Sequence, residues 1–209
     1  MSNPKFTIIY DTYCGWCYGA APIFDALLAT GAEVEVLHRH LFQGALAYKM
    51  SEGKGALVLK ADARIHALTG QPFSETYREN VVLSETEVLA SALTAQAAAL
   101  VHEQGPHKEF ALRQRLEHAR FIEGTSAGNR DTVIAALIAE GVDYNTANQI
   151  GTPALAAKAE VIARRAMDLM TRVGSQGVPT VLKSDDDGFT QIDHSAFYGR
   201  AADVASLVT

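Results

Sequence analysis

The sequence predicts an α/β fold, a small sheet interrupted by a long all-helical insertion, and three observations carry that prediction. A strand-type run, an amphipathic helix and a second strand-type run follow one another within residues 5–41. Residues 45–173 show helix patterns and almost no strand signal, and from residue 179 the apolar period returns to two. The chain has 209 residues, 48% of them hydrophobic and 20% charged, which is enough to bury a sizeable core. A formal charge of -6 supplies no positive field to draw nucleic acid or an anionic membrane, so neither partner is expected.

The first run, KFTIIY at 5–10, is β-branched and aromatic, as a strand requires. From 14 to about 28 the residues Trp16, Ile23, Phe24, Leu27 and Leu28 recur at helical spacing until Gly31 ends the pattern. In 33–41, EVEVLHRHL, the residues Val34, Val36, His38 and His40 alternate onto one face of a second strand. The insertion then offers a helix opened by the capping-box pattern Ser84-Glu-Thr-Glu87 and stopped at Gly105-Pro106. Further helices are expected over 108–122 and 131–139, and a last one from the Thr152-Pro153 cap to Val173. Short strands at 179–183 and 189–192, with an acidic turn between them, precede a terminal helix at 197–208. The natural division is a sheet-bearing domain of 1–44 and 174–209 around an insertion of 45–173.

Both cysteines, Cys14 and Cys17, lie in CGWC, between the first strand and the helix it feeds. The opening stretch is too poor in apolar residues for a secretory leader, and no apolar run approaches the roughly 18 residues of a membrane span, so the chain reads as cytoplasmic. There a permanent disulfide is disfavoured, and bridging cysteines this close would remove little chain entropy. Structural zinc needs four ligands, and the sequence has no second Cys pair or spaced His pair to complete them. No metal and no organic cofactor is expected. What remains is redox chemistry. The free N–H groups and dipole at a helix N-terminus favour an anion, which makes Cys14 the expected nucleophile. Cys17, one turn on, can reach back to resolve a mixed disulfide.

CGWC after the first strand, the helical insert and Gly177-Val178-Pro179-Thr180 entering the third strand together resemble the DsbA-type thiol–disulfide oxidoreductases, including their cytosolic FrnE-like branch. The resemblance spans essentially the whole chain and implies a thioredoxin-like fold with a large helical insertion. It further implies a cis Pro179 beside the reactive cysteine, and a Val178 backbone that pairs with an extended substrate. The partners would be protein or peptide thiols and disulfides, with glutathione or a thioredoxin-type protein as candidates for recycling. Oxidase, isomerase and reductase directions all stay open. Between the cysteines stand Gly15 and Trp16 where strongly oxidising relatives carry a His, which implies a weaker oxidant. The additional C-terminal cysteine pair of the FrnE-like branch is absent.

Two other functions are compatible with the same residues: a chaperone-like module that holds unfolded chains, and a glutathione-linked isomerase or transferase, whose relatives carry Ser where Cys14 stands. Trp16 and Tyr18 flank the thiols as either a substrate-facing apolar surface or core. His38 and His40 are expected to be structural and Asp25 solvated, with a role as base for Cys17 as its alternative. Asp185, Asp186 and Asp187 read as a solvated turn. His66, His102, His107, His118 and His194 show no ligand spacing.

Overall fold

The computed structural model describes residues 5–185 and 188–208. The chain runs β1 (Lys5–Tyr10), α1 (Gly15–Ala29), β2 (Glu33–His38), β3 (Tyr48–Lys49), α2 (Gly55–Thr69), α3 (Glu75–Tyr77), β4 (Val88–Leu89), α4 (Ala92–Val101), α5 (Pro106–Phe121), α6 (Arg130–Ala139), α7 (Tyr144–Ala147), α8 (Pro153–Arg172), β5 (Thr180–Asp185) and β6 (Gly188–Ile192). The central sheet has the order β2-β1-β5-β6. β1 pairs parallel with β2 and antiparallel with β5, and β6 is antiparallel on the far side of β5. A parallel neighbour demands a crossover, and α1 is that crossover.

Alternation along β1 assigns the two faces. Phe6, Ile8 and Tyr10 pack with Val34, Val36 and Val181 against Ile23, Phe24 and Leu27 of α1. Ile9, with Leu37 of β2 and Leu182 of β5, enters a second core built by α4, α5, α6 and α8. The central strands are therefore buried on both faces, as their unbroken apolar character requires. The helical stretch shares this core with the sheet rather than standing off from it. A third cluster joins Tyr13 and Tyr18, at the entry to α1, to Met50, Tyr77, Val81, Leu89 and Phe121. α1 lies so close to α2 that a Cβ on Gly19 would stand 2.6 Å from Ile65 Cγ2.

Several elements differ from the sequence expectation. The helix expected at Ser84 starts instead at Ala92. Ser84 Oγ accepts the Thr86 and Glu87 N–H groups and so caps a turn, while Glu87 turns inward. Val88 and Leu89, read as part of a helical stripe, pair antiparallel with Lys49 and Tyr48, so the insertion contains a small sheet. β2 ends at His38, and His40 falls outside it with φ 52°. The chain closes in two 3-10 segments, His194–Phe197 and Ala201–Leu207, in place of one α-helix. The Thr152 cap is as expected: its Oγ1 accepts the Leu155 N–H and Pro153 opens α8. Asp185 ends β5, whereas Asp186 and Asp187 lie outside the described residues.

Candidate dithiol site

The turn from β1 into α1 is held by Asp11, which is fully buried. Its Oδ1 accepts the Tyr13 N–H at 2.9 Å and its Oδ2 the Leu41 N–H at 2.8 Å, tying the turn to the segment beyond β2. Beside it the Thr12 N–H donates to His38 Nε2 at 3.2 Å, and burial pushes His38 down to about 4, so the imidazole is neutral near pH 7. His38 is thus a structural acceptor at this turn.

Cys14 is the N-cap of α1, with extended backbone (φ -78°, ψ 117°), and its carbonyl accepts the Tyr18 N–H at 3.0 Å. The Cys14 side chain makes no capping bond. It is aimed instead at the segment leading into β5, at the same end of the sheet, where its Sγ lies 3.8 Å from the Val178 carbonyl oxygen. The Val178–Pro179 peptide bond is cis, the form the resemblance implies. Cys17, one turn along α1, has no exposed surface, and its Sγ accepts the Asp11 N–H at 3.4 Å. Burial first, and then the neighbouring Cys14 sulfur, push the Cys17 thiol well above its ordinary range. Both thiols are free. The fold therefore brings Cys14, Cys17, Val178 and Pro179 together from segments more than 160 residues apart.

Trp16 is half-buried, stacked on Tyr198 with ring centroids 6.4 Å apart and with the Arg64 guanidinium 5.8 Å from its centroid. Tyr18 is core: it stacks on Phe121 at 4.5 Å and its hydroxyl donates to the Pro72 carbonyl. Asp25, expected to be solvated, is partly exposed but also accepts hydrogen bonds from Arg113 and Gln114.

Sequence reasoning missed a group of residues that meet at the other side of Cys14. Tyr13, Cys14, Tyr48, Asp62, Tyr77 and Arg120 line a partly open cavity of about 140 Å³. Arg120 is 1% exposed, lies 4.7 Å over the Tyr13 ring and donates through Nη1 to Glu87 Oε1 at 2.9 Å, but its Nε and Nη2 have no partner. Asp62 is 7% exposed and its Oδ2 is unpartnered. Burial pushes Asp62 up to about 7, against the opposing pull of the Tyr77 hydroxyl and the Arg120 charge. Positions 62 and 120 come from two helices and 87 from the turn before β4, and they share no spacing, so only the tertiary fold reveals them. The Ser84-to-Glu87 pattern even disguised Glu87 as a helix cap.

Among the described residues no group of His, Cys, Asp and Glu could hold a metal, and no helix is long and apolar enough to cross a membrane. The DSBA-like thioredoxin domain profile matches residues 7–198. The chain belongs to that family. No curated protein sequence matches. Among solved structures, the chain is similar to the cytosolic disulfide reductase DsbM from Pseudomonas aeruginosa, with TM-score 0.84 and 25% identity over 97% of this chain and 96% of that one. The same protein solved with GSH gives TM-score 0.79 at 25% identity, with the same coverage. MdbA, a thiol-disulfide oxidoreductase from Corynebacterium diphtheriae, shares the fold at 14% identity and TM-score 0.54, covering 95% of this chain and 83% of that one. The family and the paired thiols make this chain a DsbA-like thiol–disulfide oxidoreductase.

Proposed function

We propose that this chain reduces disulfides of protein or peptide substrates in the cytoplasm, with Cys14 attacking, Cys17 resolving, and glutathione as the source of electrons. The observation that carries this reading is the placement of Cys14 at the start of α1, its sulfur against the Val178 carbonyl and cis-Pro179, while Cys17 lies buried behind it. A thiolate at Cys14 attacks one sulfur of the substrate disulfide. A bond forms to Cys14, and the other substrate sulfur leaves as a thiolate and is protonated. Cys17 then loses its proton and attacks Cys14 Sγ, the substrate's second sulfur leaves, and two electrons have passed to the substrate. Burial favours the protonated Cys17, which keeps the resolving thiol from competing as the attacking one.

The reductive direction and the glutathione donor are supported by the similarity to DsbM, a cytosolic reductase also solved with GSH. Val178 would hold an extended substrate through its backbone, and Trp16 with Tyr198 would form one wall of that groove. The test is glutathione-driven reduction of a protein disulfide such as insulin. Cys14→Ser brings turnover to the uncatalysed background, whereas turnover that persists in Cys14→Ser overturns the reading. Full activity in Cys17→Ser would instead assign a one-thiol, glutathione-linked reaction.

A further inference from the structure

Arg120 and Asp62 face one cavity with opposite charge, yet neither satisfies the other. Among the described residues Arg120 forms its ion pair with Glu87 alone, and Asp62 forms none. Buried ionic groups ordinarily find partners, and these two residues, with donor and acceptor atoms left unpartnered, line the same partly open cavity. That space, about 140 Å³, is roughly ten times what one water requires, and it is well below the ~300–1,000 Å³ of sites that swallow a whole drug-sized ligand. It suits the end group of a small molecule. Its wall includes Cys14, so the rest of that molecule would begin at the sulfur.

We infer that this cavity holds the α-amino-acid group of a low-molecular-weight thiol, its carboxylate on Arg120 Nε and Nη2 and its ammonium on Asp62 Oδ2, with the thiol's sulfur delivered to Cys14. Arg presents paired N–H groups in the geometry a carboxylate accepts, and Asp62 is the acid within the same lining. The Tyr13 ring beneath the guanidinium fixes its plane. The raised Asp62, at about 7, adds a perturbed carboxyl to a site already defined by geometry, and a guest ammonium would return it to the ionised form.

This assignment rests on the exchange reading above and names the electron donor's binding mode. The thiolate of the donor attacks Cys14 Sγ of the oxidised Cys14–Cys17 pair; that S–S bond breaks, and Cys17 leaves as thiolate and takes up a proton. A second donor thiolate attacks the donor sulfur of the mixed disulfide, which frees Cys14 and yields the small-molecule disulfide. Two thiols have then supplied two electrons.

Free cysteine and the γ-glutamyl end of glutathione carry the same group at different reach from sulfur, and a panel of thiols separates them. The oxidised full-length chain is re-reduced by cysteine, cysteamine (no carboxylate), 3-mercaptopropionate (no ammonium), glutathione and N-glutaryl-cysteinyl-glycine (glutathione without its ammonium). Each rate is divided by that thiol's rate on a small free disulfide. Cysteine exceeding both of its truncated forms by about tenfold or more assigns the free amino acid, and glutathione exceeding its glutaryl analogue by that factor assigns the γ-glutamyl end. Asp62→Asn should shrink either ratio toward one. Normalised rates that agree across all five thiols overturn the cavity assignment while leaving exchange itself standing. Failure of every thiol, together with absence of protein-disulfide turnover, overturns the exchange reading and this one with it. The panel on the unsubstituted chain decides the matter even if the variant folds poorly.

Discussion

Arg113 and Arg120 lie two turns apart on α5, each 1% exposed, and they have opposite fates. Arg113 gives Nη1 to both oxygens of Glu117 and Nη2 to Asp25 of α1, with its plane 4.5 Å over Phe110, so only Nε lacks a partner. Arg120 has Glu87 and the Tyr13 ring, and two of its three nitrogens are unspent beside the reactive cysteine. The first bolts α5 to the back of α1. The second is set at the front of α1, beside the cavity that Cys14 also lines. An unpaired buried donor costs about 1–3 kcal/mol, a cost that the ligand inferred above would relieve at Arg120.

The comparison is broken most severely by Arg113→Ala. It strands Glu117, which burial already pushes up to about 7, and should cost about 3–5 kcal/mol in urea unfolding while the folded fraction keeps its exchange rate. A large loss of rate at unchanged stability would reverse the roles assigned to the two arginines.

Asp62→Asn is next in size and opposite in sign. Between about pH 4 and 7 the folded carboxyl holds a proton that the unfolded one has released, so its contribution to stability falls as pH rises and is lowest above about 7. Removing the charge should therefore stabilise the protein by about 2–4 kcal/mol at pH 8 and by much less at pH 4. His38, pushed down to about 4, acts the other way: its contribution is present above its unfolded value near 6.5 and is lost as pH falls toward 4. The difference between variant and parent stability curves isolates Asp62. A difference that does not change with pH would contradict its burial as a strained carboxyl.

A smaller effect sharpens the geometry of the cavity wall. Gly19→Ala drives a methyl to 2.6 Å from Ile65 Cγ2, on the helix that carries Asp62, and should cost about 1–3 kcal/mol in thermal or urea unfolding. A neutral outcome would mean that α1 and α2 separate readily.

These contrasts also mark what the sequence could carry. The strand at 5–10, the crossover helix, the Thr152-Pro153 cap and the return to period two are local patterns, and local pattern was enough to place them. CGWC was legible because its chemistry is written in adjacent residues, and the cis Pro179 only through the family resemblance that CGWC anchors. Asp62, Glu87 and Arg120 were illegible for the converse reason: each looks like a solvated helix charge until three separate segments of the chain bring them together. Val88-Leu89 misled because two apolar residues fit a helical stripe as well as a strand. The 3-10 close of the chain has no periodic signature that separates it from a short helix.

The most direct test of the central claim, attack by one sulfur and release by the other, is to capture the intermediate. Cys17→Ser incubated with a disulfide substrate should accumulate a mixed disulfide that peptide mapping by mass spectrometry places on Cys14 and that a reducing agent reverses. An unmodified Cys14 under those conditions, or an adduct on Cys17 forming equally well in Cys14→Ser, would contradict the account.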